Sequence, residues 1–191
     1  SVALTERLEK RLYGYLRNYK QAIFDCGYEK LFESDYLFKS IVLAVMYIED
    51  TNRPRTIRKI ENVLSYLGIC KTTGIMQCKA ASDKDASKPY YTDEQSVRAS
   101  LPRLEEYWRD FIRSVSMSGT DDSSAGSIWF TQNWYSINAE ELERIIRRRF
   151  SMIYGRYRGS KALNCNKLFA EVLDFVKREN NRKLNRPEYL R

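Results

Sequence analysis

Apolar residues recur at spacings of three and four along most of this chain, with charges between them, and that period predicts helices. Leu4, Leu8, Leu12, Tyr15 and Leu16 set a first amphipathic helix over residues 4–24. A second runs from about Tyr36 to Glu49, with Ser34 or Asp35 as its N-cap. Its second half, Ile41 to Ile48, is apolar all round, and such a stretch belongs in the centre of a domain. The β-branched pair Ile41-Val42 also permits a strand, but the length favours a helix. Pro54 suits the first turn of a third helix, which Gly68 ends after Leu67. Thr72 to Gln77 reads as a turn or extended segment, and polar residues 79–92 as a loop. A long helix is predicted over 93–117, with Val97, Leu101, Leu104, Trp108, Phe111 and Ile112 on one face. Pro102 implies either a kink in it or a start near Ser100. Residues 118–127 read as a loop, and Ile128 to Tyr135 is aromatic-rich and ambiguous. Asn138 caps a helix from Ala139 to about Tyr154, with Glu141 in the capping-box position. A last helix spans about Ser160 to Arg178, and the polar tail after Glu179 is expected to fray. The fold class is therefore mainly α, with at most a small β-hairpin.

The 191 residues suffice for one domain that buries about 70% of its unfolded surface without covalent staples. Residues 1–34 read as an N-terminal helical segment packed on a domain of residues 35–180, followed by a polar tail, 181–191. Lys and Arg exceed Asp and Glu by 33 to 25, so the net charge is +8. Nucleic acid, acidic lipid and the anionic bacterial cell wall are all suitable partners for that charge. Histidine is absent. This excludes His-based triads and the commonest metal ligand, and leaves acid–base chemistry to carboxylates, Lys, Tyr or Cys. Cys26, Cys70, Cys78 and Cys165 contain no C-x-x-C pair; they are either four thiols or two disulfides in any of three pairings. No apolar run reaches the ~18–20 residues of a membrane span, and no signal peptide is visible. The chain opens without Met, as a processed or excised form would.

Glu49 is the residue on which the chemistry turns. It follows eight apolar residues near the C-terminal, negative end of its helix. Apolar surroundings and the dipole both disfavour a charged carboxylate, so its pKa is expected to rise. A carboxyl still protonated near neutral pH can donate to a departing sugar oxygen. Gly74-Ile75-Met76-Gln77 follows after a basic helix, and Tyr157-Arg158-Gly159-Ser160 precedes the last helix, which carries Phe169 and Val172.

These three elements, in this order over roughly Ile41 to Val176, resemble the lysozyme-like superfamily of goose-type lysozymes and soluble lytic transglycosylases. The resemblance implies a helical domain with a substrate groove, no metal and no cofactor, acting on the bond between N-acetylmuramic acid and N-acetylglucosamine. Glu49 matches the family's catalytic acid. Gly74, Ile75, Met76 and Gln77 match its groove segment, with Gly74 giving the sugar close access to backbone and the Gln77 amide binding it. Tyr157 matches the tyrosine that orients the acid, with Tyr154 as the alternative. Three positions depart from the pattern: Asp50 where the family has Ser, Arg158 in place of Asn, and Cys78 in place of an aliphatic residue. The resemblance further implies an exported protein, periplasmic or extracellular, whose partner is the glycan strand. If it is a toxin, a small acidic inhibitor or immunity protein would plug its groove.

A hydrolase needs a second carboxylate, and Asp83 or Asp85, in the loop after Gln77, could reach the groove; Asp93 and Glu94 are weaker candidates. With Glu49 alone, the substrate's N-acetyl group would assist and an anhydro sugar would result. Tyr90, Tyr91, Trp129, Phe130, Trp134 and Tyr135 are of the kind that stacks on sugars, or on core neighbours, and Gln132 and Asn133 could add hydrogen bonds. Rival readings remain. Arg144, Arg147, Arg148, Arg149, Arg156 and Arg158 beside Tyr154 and Tyr157 suit phosphates and bases, although nucleic acid is not an obligatory partner. Ile48-Glu49-Asp50 fits a peptidoglycan glycosyltransferase, whose accompanying His and Gly-Gly-Ser-Thr segment are missing. An inactive lysozyme-like interaction module is the last alternative.

Overall fold

The computed structural model describes residues 2–80, 83–118, 139–158 and 165–186. Within them the chain is mainly helical, with eight helices and no strand beyond an isolated antiparallel bridge between Thr73 and Cys78. The helices are α1 (Val2–Asn18), α2 (Lys20–Asp25), α3 (Glu29–Ser34), α4 (Tyr36–Asn52), α5 (Arg55–Ser65), α6 (Asp93–Ser118), α7 (Ala139–Arg158) and α8 (Asn166–Leu184). Backbone proximity divides the chain into two units, residues 1–102 with 171–191, and residues 103–170. The division passes through α6 and α8, so both helices contribute to each unit. No described helix is long and apolar enough to cross a membrane.

In the first unit α4 is the centre. Every residue from Leu37 to Met46 is buried, Lys39 and Ser40 included, and from Ile41 onward the unbroken apolar run requires it. Asp35 starts the helix: in extended geometry, it accepts a 2.8 Å hydrogen bond from the Phe38 N–H through Oδ1 and satisfies one of the orphan donors of the first turn. Leu8, Leu12 and Tyr15 of α1, Phe32 of α3, Val97 and Leu101 of α6, and Val172, Phe175 and Val176 of α8 supply the rest of this core. The Tyr13 ring meets Phe175 edge-on at 5.0 Å.

Several expectations need correction. The helix foreseen over 4–24 is broken: Tyr19 leaves helical geometry (φ −111°, ψ 6°) and Gly27, at φ +80°, turns the chain after α2. The short α3 had no periodic signal, being a single amphipathic turn and a half. Pro54 stands outside α5 as its N-cap instead of in its first turn. Pro102 does not set a start near Ser100, because α6 already begins at Asp93 and runs through it. The last helix begins at Asn166, after a non-helical Cys165. It does not fray after Glu179 but continues to Leu184, because its charges are paired. Arg178 binds Glu9 at 2.6 Å, Glu179 accepts from the Tyr13 hydroxyl, and Lys183 reaches Glu33 at 3.4 Å. The loop over 118–127 beyond its first residue, the aromatic segment Ile128 to Tyr135, and Asn138 lie outside the described residues.

In the second unit Leu104, Trp108, Phe111 and Ile112 of α6 are buried, as are Leu142, Ile146, Phe150 and Ile153 of α7. Phe150 stacks on Phe169 of α8 with ring centroids 4.6 Å apart. All four cysteines are free thiols.

Replacing Asp35 with Ala removes the α4 cap and should cost about 1 kcal/mol. A thermal melt should show the midpoint falling by about 3 °C; an unchanged midpoint would deny the cap its role.

Candidate functional site

The end of α4 carries two adjacent carboxylates with different surroundings. Glu49 is 0% exposed, and its carbonyl accepts from the Arg53 N–H at 2.8 Å as the helix closes. Asp50 is turned towards polar partners. It accepts from the Tyr15 hydroxyl at 2.6 Å and from Arg58 Nη1 at 2.5 Å, with Arg11 at 3.4 Å. Burial and then the Asp50 hydrogen bond push the Tyr15 phenol well above its ordinary range.

Arg58 joins this end of α4 to the start of α6. Its Nε and Nη2 bind both oxygens of Asp93 at 3.1 Å each, the forked geometry that a guanidinium matches best. Nη1 also donates to the Arg53 carbonyl at 2.7 Å. Burial works against the Arg58 charge, yet Asp50 and Asp93 outweigh it and hold its pKa above the ordinary value.

One turn further along α5, Glu61 is buried and pairs with Arg53 at 2.8 Å. Its Oε2 accepts from Gln77 Nε2 at 3.0 Å. The predicted Gly74–Gln77 segment is a tight turn closed by reciprocal backbone bonds between Thr73 and Cys78, 2.9 and 3.0 Å long. Ser96 on α6 accepts from the Met76 N–H at 3.1 Å, and the Thr73 hydroxyl accepts from the Tyr91 N–H at 2.8 Å. Gly74 sits at φ +76°, and a Cβ there would lie 2.4 Å from Ser96, so close packing against α6 as well as backbone conformation demands glycine. Gln77 is the one non-glycine residue with positive φ (50°) among those described. A long side chain held there is a local strain of the kind that gathers at working sites. Its amide is used internally, donating to Glu61 and to the Gly74 carbonyl at 3.1 Å and accepting from Thr72 at 3.1 Å. Ile75 and Met76 are buried.

Asp50, the neighbour of Glu49, and the Gly74–Gln77 turn thus belong to one part-buried polar network built on α5: Asp50 to Arg58, and Glu61 to Gln77. The sequence reading missed Arg53, Arg58, Glu61, Ser96 and the structural part of Asp93. The only available signal was that polar residues at positions 58, 61 and 65 share one side of a helix; such a stripe is ordinarily read as the solvated face.

The other candidates are placed as follows. Asp83 accepts from the Tyr91 hydroxyl at 2.6 Å and from the Asp85 N–H at 2.9 Å, and these bonds hold its pKa below the usual carboxylate value. Asp85 is exposed. Tyr154 and Tyr157 belong to the second unit and are buried, Tyr154 stacking on Phe150 at 6.4 Å. The Arg103 guanidinium lies 4.7 Å over the Tyr157 ring and donates to its carbonyl at 3.1 Å. Tyr157 and Arg158 form the last turn of α7, where Ile153, Tyr154 and Tyr157 keep the helical period. Gly159 and Ser160 lie outside the described residues. On α7, Arg144 pairs with Glu141, Arg147 with Glu143, and Arg156 with Asp110 and Glu106.

No family model matches the chain, and no curated protein or solved structure shows significant similarity to it.

Arg58→Met should destabilise the fold by about 3 kcal/mol, since Asp93 loses its forked partner and Asp50 keeps only one cation, Arg11, at 3.4 Å. Arg58→Lys should restore only part of this, because an ammonium cannot make the fork. Urea unfolding of both variants gives the two values; a Met variant as stable as the parent would show the clamp to be idle.

Proposed function

We propose that this chain cleaves peptidoglycan glycan strands between N-acetylmuramic acid and N-acetylglucosamine, with Glu49 as the proton donor. The observation that carries the proposal is a wholly buried carboxyl at the last turn of an apolar helix, next to an Asp50 that pairs with Arg58 of α5, the same helix whose Glu61 holds the Gly74–Gln77 turn. Burial favours the protonated form of Glu49, which is the form that protonates a glycosidic oxygen. The closed carboxyl must meet substrate through a local opening at the end of α4. The lysozyme-like assignment rests on the residues quoted for it, and an exported location follows from the same reading.

Two routes follow protonation and departure of the leaving sugar. Asp83, with its pKa held low by the Tyr91 hydroxyl, is a poor base. The route in which Glu49 acts alone needs no second carboxylate. The substrate's N-acetyl oxygen attacks C1 as the glycosidic C–O bond breaks and Glu49 gives up its proton. The Glu49 carboxylate then takes the proton of the C6 hydroxyl. The C6 oxygen displaces the acetamido oxygen from C1, leaving a 1,6-anhydro end and a reprotonated acid.

A second reading, an inactive lysozyme-like module, is favoured by the closure of Glu49 and the internal use of the Gln77 amide. Mass spectrometry of digested peptidoglycan separates the readings. Anhydro-ended fragments from the parent, reduced at least about a hundredfold in a folded Glu49→Gln variant, are the expected result. Reducing ends would move the assignment to a muramidase, and intact strands would leave only the inactive module.

A further inference from the structure

Helix α5 is turned inside out relative to an ordinary surface helix. Its inward side chains are Arg58, Glu61 and Ser65, while Ile57, Ile60 and Val63 face solvent. The outward residues lie three apart and form one stripe. Tyr66, Leu67 and Ile69 continue it. Exposure is 55% at Ile60, 65% at Val63, 70% at Leu67 and 64% at Ile69, so these side chains project as a ridge and do not line a hollow. A contiguous apolar surface of this kind marks an interaction site.

The charges beside the ridge have one sign. Arg55, Lys59 and Lys71 are exposed, and no ion pair engages them among the described residues. The only acid between positions 55 and 71 is Glu61, which is buried and spent on Arg53 and Gln77. On the helix wheel Arg55 and Lys59 both border the Val63 edge of the apolar stripe. Tyr66, at its end, packs edge-on against Tyr90 with centroids 5.9 Å apart, and Lys88 lies 5.5 Å over the Tyr90 ring.

We infer that the α5 ridge seats the protein on an anionic lipid bilayer surface, with Ile57, Ile60, Val63, Leu67 and Ile69 entering the headgroup layer. A projecting aliphatic row needs no matching groove to be buried in lipid, whereas a protein partner would have to supply one. Arg55, Lys59 and Lys71 then lie at the level of the lipid phosphates, and Tyr66 and Tyr90 sit at the boundary that amphipathic rings favour. The polar face of α5 stays inside the protein, so the docked helix exposes none of Arg58, Glu61 or Ser65 to the lipid. This inference is independent of the glycosidase proposal.

Flotation of the full chain with vesicles tests it. The protein should float with vesicles rich in phosphatidylglycerol and stay behind with pure phosphatidylcholine. The triple variant Ile60→Ser, Val63→Ser, Leu67→Ser should retain the parent's circular dichroism and lose at least about tenfold in partitioning. Arg55→Gln with Lys59→Gln keeps the ridge and should lose about tenfold on the anionic vesicles. The inference is overturned if the parent fails to float at low salt, or if the triple Ser variant binds like the parent, which would leave binding to net charge alone. It is equally overturned if the parent is a dimer that the triple variant dissolves and neither form binds lipid, since the ridge would then be covered by a second copy.

Discussion

The buried guanidinium of Arg58 is the contact on which the first unit depends. It closes the end of α4 through Asp50, fixes the start of α6 through Asp93, and turns the polar side of α5 inward to do both. A cation held this way is tolerated only because two carboxylates and a carbonyl surround it. Once Arg58 faces inward, the helical period dictates that Glu61 does too, and Glu61 in turn orients Arg53 and the Gln77 amide. The Gly74–Gln77 turn is thereby held from one side by α5 and from the other by Ser96.

The same rotation of α5 has an outward consequence. A helix with one polar and one apolar stripe can satisfy its charges in the interior only by giving its aliphatic residues to solvent. The burial of Arg58 and Glu61 and the exposure of Ile60, Val63 and Leu67 are therefore one structural fact, and retaining so much apolar surface calls for something to cover it.

Much of the helical frame was legible in the chain. The all-apolar run from Ile41 and the cap at Asp35 placed α4, and the period over Val97 to Ile112 placed α6 despite Pro102. Both signals are local and strong. The burial of Glu49 was legible too, from the eight apolar residues before it. What failed were features decided by distant partners. The charges of α8 looked like a solvated tail because Glu9, Glu33 and Tyr13 lie far away in sequence. The Gln77 amide looked free for a ligand because Glu61, sixteen residues earlier, is what engages it. The facing of α5 was the hardest, since its pattern alone predicts the opposite orientation.

The protonation of Glu49 is where fold and chemistry meet. Glu49 is wholly buried next to an Asp50 that pairs with Arg58, and burial by itself disfavours a charged carboxylate. The decisive measurement is a carbon-detected NMR titration of the Glu49 carboxyl in the folded protein. A midpoint raised clearly above the ordinary glutamate value is what the account predicts. A midpoint at or below about 4.3, with the carboxylate charged throughout the neutral range, would contradict it.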